Sequence, residues 1–303
     1  MTKNGKDQNK KVIKHTLVRA IAGHKTTDLS GRMLVFIHLP KCAGRTFSSI
    51  LDKYFVANRT DAEKGCWVRG TLYGQYLGGE KNETLVNLES VDRNSVYLRG
   101  HLPVGVFEDF ANEPAYITMI RDPVAQLVSM YRFGVERGGW DNGAAITDLN
   151  ARGLLIDNPQ TRQLAGLRLA NQPCNQDTLD QAVENLKKFL FVGKVEHFEQ
   201  SLQAFLSLLG GPGFLYHSQG IGMDSSPLPD ISDALYTMTN WDRKLYEAVP
   251  DIETLSGTPL PDIIVDSLFI KPKGSPTLSI NERELPDIQK ILIDQGHTLT
   301  EKP

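Results

Sequence analysis

The chain has 303 residues, 40% of them hydrophobic and 23% charged, a composition that suits a globular protein with a substantial core, as one large domain with extensions or as two. Its formal net charge of -3 excludes a general affinity for nucleic acid or anionic membranes, so any polyanionic partner must meet a local basic patch. The three cysteines, Cys42, Cys66 and Cys174, are odd in number, far apart and without metal-ligand spacing. They argue for a reducing compartment, the cytoplasm by default, and against structural disulfides or zinc.

Residues 1–30 read as a basic extension. No apolar stretch in them is long enough for a secretory signal or a membrane span, so neither cleavage nor anchoring is expected. Ile13, Leu17 and Ile21 recur at helical spacing among Lys10, Lys11, Lys14 and Arg19. That spacing predicts a short basic amphipathic helix in weak contact with a membrane or a polyanion, or a solvated, frayed tail, and the tail is favoured.

Alternating strands and helices follow. "MLVFIHL" is almost wholly apolar, as expected of a strand covered on both faces, and "GRTFSSILDKYF" places Phe47, Ile50, Leu51 and Tyr54 on one helix face. "SVYLRGH" at 95–101 is a second strand, and "AYITMIRDP" at 115–123 a third, ended by proline before the helical "VAQLVSMYRFG". "FLFVGKVEHFEQSLQAFLSLLGG" at 189–211 repeats the unit, with Gly210 and Gly211 as stop signals. The alternation predicts an α/β fold of three layers around a mostly parallel sheet, with the ligand beyond the carboxyl ends of the strands. Segments 56–94 and 134–160 read as surface insertions around a pocket mouth. The proline-punctuated 251–303 reads as an appendage packed on or trailing the 31–250 domain.

The loop in "VFIHLPKCAGRTF", 35–47, follows a buried strand and opens a helix, where backbone N–H groups and the helix dipole favour an anion. Gly44 allows close backbone approach, Thr46 adds a hydroxyl, and Lys41 adds a mobile charge. These are the parts of a phosphate grip, P-loop-like in kind. The lysine precedes the glycine, however, so the Gly-Lys-Ser/Thr ending of the common ATP and GTP loop is missing. A purely structural turn gives a lysine beside proline at a strand end no packing reason to be there.

"FIHLPKCAGRTF" resembles the 5′-phosphosulfate loop of sulfotransferases that use 3′-phosphoadenosine 5′-phosphosulfate (PAPS), in particular the carbohydrate branch with the heparan sulfate 2-O- and 6-O-sulfotransferases. "YITMIRDPVAQLVSMYRF", 116–133, is similar to that family's 3′-phosphate block, with Arg121 and Ser129 at the matching positions. The similarity continues through "NPQTRQLAG", "FVGKVEHFEQSL" and "DRKLYEAV", and so covers roughly 33–249. Cys42 stands where the family usually has threonine, and Arg45 where it has threonine or serine. Small-residue packing suits Cys42 better than a nucleophile's role. Arg45 is read equally as a contact to phosphate or acceptor and as a solvent-facing side chain.

The resemblance implies sulfuryl transfer from PAPS to a hydroxyl. Lys41, with Ala43, Gly44, Arg45, Thr46 and Phe47 of the loop, would hold the 5′-phosphate side of the co-substrate, while Arg121 and Ser129 would hold its 3′-phosphate. Lys41 would also stabilise the leaving phosphate during transfer, a catalytic role. No divalent metal is implied, since protein cations can meet the charge. His101 in "LRGHLPVGV" is the candidate general base. It matches the second histidine of a short "HGH" segment in the 2-O enzymes, with Arg99 in place of the first; the alternative is a histidine that only caps the loop. His38 is read as shaping the loop, and His197 and His217 as surface or partly satisfied residues.

The acceptor implied is a carbohydrate hydroxyl, with a lipid-linked glycan or small metabolite equally open. Arg45, Arg132, Arg137 and Arg162, and the aromatic Trp67, Tyr73, Tyr76 and Trp140, are candidates to line its site or, as readily, to be solvated or to pack the insertions down. Two other classes remain: a P-loop kinase using ATP and magnesium, and a non-catalytic nucleotide or glycan binder that retains the cradle.

Overall fold

The structure, a computed structural model, describes residues 13–20, 26–57, 97–106, 108, 113–137, 139–141, 143–166, 173–211, 213–218, 232–249, 265–271, 278–280 and 288–300. The chain is an α/β protein. Its main sheet has four parallel strands, β2 (Arg32–Ile37), β3 (Tyr97–Gly100), β4 (Glu113–Ile120) and β5 (Phe191–Lys194), in the order β3-β2-β4-β5. Met33 to Ile37 are each at most 1% exposed, so the apolar run in the sequence is that of a central strand covered on both faces.

Helix α1 (Gly44–Ala57) follows β2, and α2 (Pro123–Glu136) follows β4. Asp122 caps α2 by accepting from the Ala125 N–H at 2.7 Å, and Pro123 takes the first position, where its missing N–H costs nothing. The short α3 (Ile146–Ala151) and α4 (Pro159–Ala165) come next, then α5 (Gln176–Leu186) before β5 and α6 (Phe198–Leu209) after it. Gly210 ends α6 in the left-handed region, φ 62°, as its place after the last periodic residue predicts.

Chain order and spatial order part at one point. From β2 the chain passes to β3 on one side and then crosses to β4 on the other. The carboxyl ends of β2 and β4 therefore flank the crevice where open parallel sheets bind ligands.

A second, five-stranded sheet was not foreseen. Strands β1 (Ile13–Val18), β6 (Gly213–Tyr216), β7 (Val265–Lys271), β8 (Leu278–Ile280) and β9 (Thr298–Thr300) are antiparallel in the order β8-β6-β1-β7-β9. Residues 13–18 are thus neither helix nor frayed tail; they form the middle strand, paired on both sides. The spacing misled because every fourth residue is also every second one twice over: His15 and Leu17 are buried while Lys14 between them and Ile13 is exposed. Ile21 lies outside the described residues. Segment 251–303 supplies three of the five strands and α9 (Ile288–Asp294). Two further α-helices, α7 (Ser232–Met238) and α8 (Asn240–Ala248), follow β6, and a 3-10 turn at Val195–His197 links β5 to α6. Among the described residues no helix is long and apolar enough to cross a membrane.

The antiparallel sheet contains a buried histidine. The His15 ring donates from Nδ1 to the Ile13 carbonyl at 3.0 Å and meets the His217 ring edge-on at 5.2 Å. Burial pulls its pKa from 6.5 to about 4; the Ile13 bond opposes this, and His217 and His297 add to it. The unfolded chain holds the proton more tightly, so the stability due to the neutral ring is complete above pH 6.5 and drains away as pH falls to about 4. Urea midpoints are expected to drop across that interval, and His15→Phe to flatten the drop. Equal slopes in the two proteins would contradict this account.

Candidate functional site

The segment between β2 and α1 turns sharply on two non-glycine residues in the left-handed region, Lys41 (φ 61°) and Ala43 (φ 53°). Each costs on the order of 1 kcal/mol, held in place by the surrounding structure. Three carbonyls of the loop are tied down from other elements. Gln126 of α2 donates to the Pro40 carbonyl at 2.8 Å, Gln163 of α4 to that of His38 at 3.2 Å, and the Arg121 guanidinium, through Nη1, to that of Lys41 at 3.0 Å. The first intrahelical bond of α1 runs from Phe47 N–H to the Ala43 carbonyl, so the amides of Gly44 and Arg45 have no acceptor within the helix.

Positive charge converges here. Desolvation lowers the Lys41 pKa, Glu136 opposes the fall, and Arg121, Arg45 and Arg137 add to it. Four cations thus surround the loop with one acid felt among them. The Lys41 ammonium rests over the half-exposed Phe133 ring, 4.3 Å from its centroid, with the Arg137 guanidinium at 5.1 Å. Arg121 Nε is buried with no hydrogen-bond partner among the described residues. Ser129 lies three residues after Gln126 and four before Phe133, and both of these touch the loop. It therefore belongs to the stripe of α2 that faces the loop.

His38 and His101 form the opposite wall. Their rings are 4.2 Å apart, and His38 also stacks on Phe36 at 5.4 Å. A Cβ on Gly44 would fall 1.8 Å from His38 Nε2, so the loop glycine exists to let this ring in. His101 Nδ1 lies 2.7 Å from the His38 carbonyl. A carbonyl only accepts, so Nδ1 carries the proton and Nε2 is the basic nitrogen. Desolvation lowers the His101 pKa, the bond to His38 opposes this, and Arg99 lowers it further; His38 is pushed well below 6.5 by desolvation, then by His101 and Arg99. Both rings are neutral at pH 7. Arg99 itself pairs with Asp52 of α1 at 2.9 Å.

The other candidates divide. Thr46 is buried at the start of α1. The Phe47 ring lies in the core against Phe36 at 5.1 Å and Phe205 at 5.2 Å, so it supports the loop from behind. Cys42 is fully buried, its thiol 3.5 Å from the Pro40 carbonyl and pushed well up by burial; this is a packing residue's setting. Arg45 and Arg137 are exposed. Arg162 pairs with Asp157 at 2.7 Å. Trp140 covers Gly134, where a Cβ would meet its ring at 2.2 Å, and so packs its insertion down. His197 is exposed and His217 belongs to the second sheet's histidine pair. Trp67, Tyr73, Tyr76 and Cys66 lie outside the described residues.

Reading the sequence missed the residues that tie the site together. Gln160, 1% exposed, accepts from Arg121 N–H at 3.1 Å and donates to the Arg121 carbonyl at 2.8 Å. Gln163 donates to the Leu102 carbonyl at 3.0 Å as well as to that of His38. The Asp242 carboxylate of α8, 1% exposed, accepts from Gln160 N–H at 3.2 Å and Thr161 N–H at 2.7 Å, and burial pushes it up to about 6 despite these bonds. The available signal was a pair of glutamines three apart in "NPQTRQLAG". Among the described residues no group of three or more histidine, cysteine or carboxylate side chains is placed to hold a metal ion. No protein-family model matches the chain, and no curated protein sequence matches it.

Proposed function

We propose that the chain is a PAPS-dependent sulfotransferase that moves a sulfuryl group to a hydroxyl of a carbohydrate or related acceptor. The observation that carries this reading is the contact between Arg121 and the Lys41 backbone at 3.0 Å. It brings the two residues expected at opposite ends of one bisphosphorylated nucleotide to the same crevice, between the carboxyl ends of β2 and β4. The surplus of cations and the buried Arg121 Nε, without a hydrogen-bond partner among the described residues, favour an anionic ligand with more than one phosphate.

In the proposed reaction the acceptor oxygen attacks sulfur in line. The new O–S bond forms as the bond from sulfur to the bridging phosphate oxygen breaks. His101 Nε2 takes the acceptor's proton, and the electron pair of the broken bond stays on the 5′-phosphate. The Lys41 ammonium and the amides at the start of α1 meet that charge in a P-loop-like cradle. A neutral His101 can serve as base at pH 7.

Calorimetric titration of the full chain tests the assignment. 3′-Phosphoadenosine 5′-phosphate is expected to bind without magnesium and at least about tenfold more tightly than ATP with it, one phosphate contact accounting for about that ratio. Lys41→Met and Arg121→Met should each weaken it. Preference for ATP and magnesium would instead identify a kinase.

A further inference from the structure

Helix α4 is buried, short and held at both ends by side chains from other helices. Asp242 accepts from two N–H groups at its start. At its end, Asn185 of α5 donates to the carbonyls of Leu164 at 2.8 Å and Ala165 at 3.1 Å. Asn158, just before α4, accepts in return from the Trp241 and Asp242 amides of α8 at 2.8 and 3.2 Å, so each helix start is satisfied by the other. A seven-residue helix that is marginal alone is thus fixed as a rigid bar.

From this bar two glutamines one turn apart reach the ends of three strands. Gln160 brackets Arg121, at the end of β4, by both its N–H and its carbonyl. Gln163 holds the carbonyls of His38, after β2, and Leu102, after β3. The His38 carbonyl is also the acceptor for His101 Nδ1, so Gln163 and His101 share one oxygen. A further backbone bond runs from Val104 N–H to the Gln163 carbonyl at 3.2 Å. The partners of these amides are backbone groups, so a leucine in place of either glutamine leaves buried polar atoms unsatisfied and lowers stability; beyond that stability the amides add a fixed spacing between strand ends.

We propose that Gln160, Gln163 and Asp242 are positioning residues that set the candidate site's register, Gln160 fixing Arg121 for the nucleotide and Gln163 fixing His101 in its Nδ1-protonated tautomer. The nucleotide half of this inference rests on the sulfotransferase reading; the histidine half does not. Gln160 touches backbone atoms of Arg121 and does not engage its guanidinium, which holds the Lys41 carbonyl through Nη1. Asp242 touches neither reacting group and acts through α4.

The test uses the full chain with Gln160→Leu, Gln163→Leu and Asp242→Asn. Each is measured by calorimetry with 3′-phosphoadenosine 5′-phosphate and by the ring 15N shifts of His101, assigned through their loss in His101→Gln. Gln160→Leu is expected to weaken nucleotide binding about tenfold with the His101 shifts unmoved. Gln163→Leu is expected to keep the affinity within about twofold and to turn the single tautomer into a mixture. Asp242→Asn, which keeps one of two acceptor oxygens, should move both readouts part of the way. If a leucine variant does not fold, Gln160→Met and Gln163→Met, which keep the unbranched length and lose the amide, carry the same readouts.

Melting temperatures that fall while affinity and tautomer stay as in the parent protein would reduce the three residues to structural roles and overturn the proposal. A parent protein that does not bind the nucleotide, with His101 still disturbed by Gln163→Leu, would remove the sulfotransferase reading and the role of Gln160 while sustaining that of Gln163. No binding and an undisturbed His101 would overturn both.

Discussion

Gly44→Ala is expected to cost about 1–3 kcal/mol of stability and to weaken nucleotide binding by roughly two orders of magnitude, as the loss of more than one positioned contact implies. The added methyl would lie 1.8 Å from His38 Nε2, 2.0 Å from Cδ2 and 2.6 Å from Cε1. The ring cannot slide aside cheaply, because Phe36 stacks on it at 5.4 Å and His101 crowds it at 4.2 Å. Moving it displaces His101, while keeping it pushes Gly44 and the start of α1 away from the crevice. Gly44 is absent from the glycines with positive φ, so backbone strain does not contribute and the penalty is steric. The double variant His38→Ala/Gly44→Ala checks this: the methyl should then be tolerated, and urea denaturation should give a coupling of more than about 1 kcal/mol between the sites. Additive effects would show that the ring and the glycine do not meet.

His101→Ala is the second large effect. With His101 as the proposed general base, its removal would lower transfer by about 10²–10⁴-fold, and nucleotide affinity should stay unchanged because the proposed base meets the acceptor and not the nucleotide. The pH profile distinguishes this from a general loss of structure. His101 has its pKa lowered from 6.5, first by desolvation and then by Arg99. Transfer in the parent protein should therefore be level through neutrality and fall only below pH 6.5, as the ring takes up a proton and can no longer accept one. That acid limb should vanish in His101→Ala. A variant with full rate on its acceptor, or an unchanged acid limb, would remove His101 from the reaction and leave the nucleotide assignment standing.

The main sheet was legible because its signals are local. The unbroken apolar run Met33–Ile37, the Arg-Asp-Pro stop after β4 and the glycines after α6 each announce one element within a few residues. The turn from β2 into α1 was legible for the same reason, since an apolar strand, a proline and a glycine before a helical pattern mark it within a few residues; its use as a phosphate loop is the proposal, not part of the fold. The second sheet was not. Its middle strand pairs with residues about 200 and 250 positions away, and six residues whose apolar positions suit both periods carry no trace of those partners. Gln160, Gln163 and Asp242 were hidden for a related reason. A polar side chain on a short helix looks solvated until tertiary structure buries it, and only then do its hydrogen bonds reveal what it holds. His38 shows the limit of local reading in the other direction: its role in shaping the loop was expected, but its contact with Gly44 depends on the packing of β2 against α1.

The central claim is that the cations between the ends of β2 and β4 hold one bisphosphorylated adenosine. A crystal structure of the chain with 3′-phosphoadenosine 5′-phosphate measures this directly. The 5′-phosphate is expected against Lys41 and the first amides of α1, with Arg121 and Ser129 on the 3′-phosphate of the same molecule. A nucleotide seated elsewhere, or one that touches the loop while Arg121 keeps its bond to the Lys41 carbonyl and reaches no phosphate, would contradict the account.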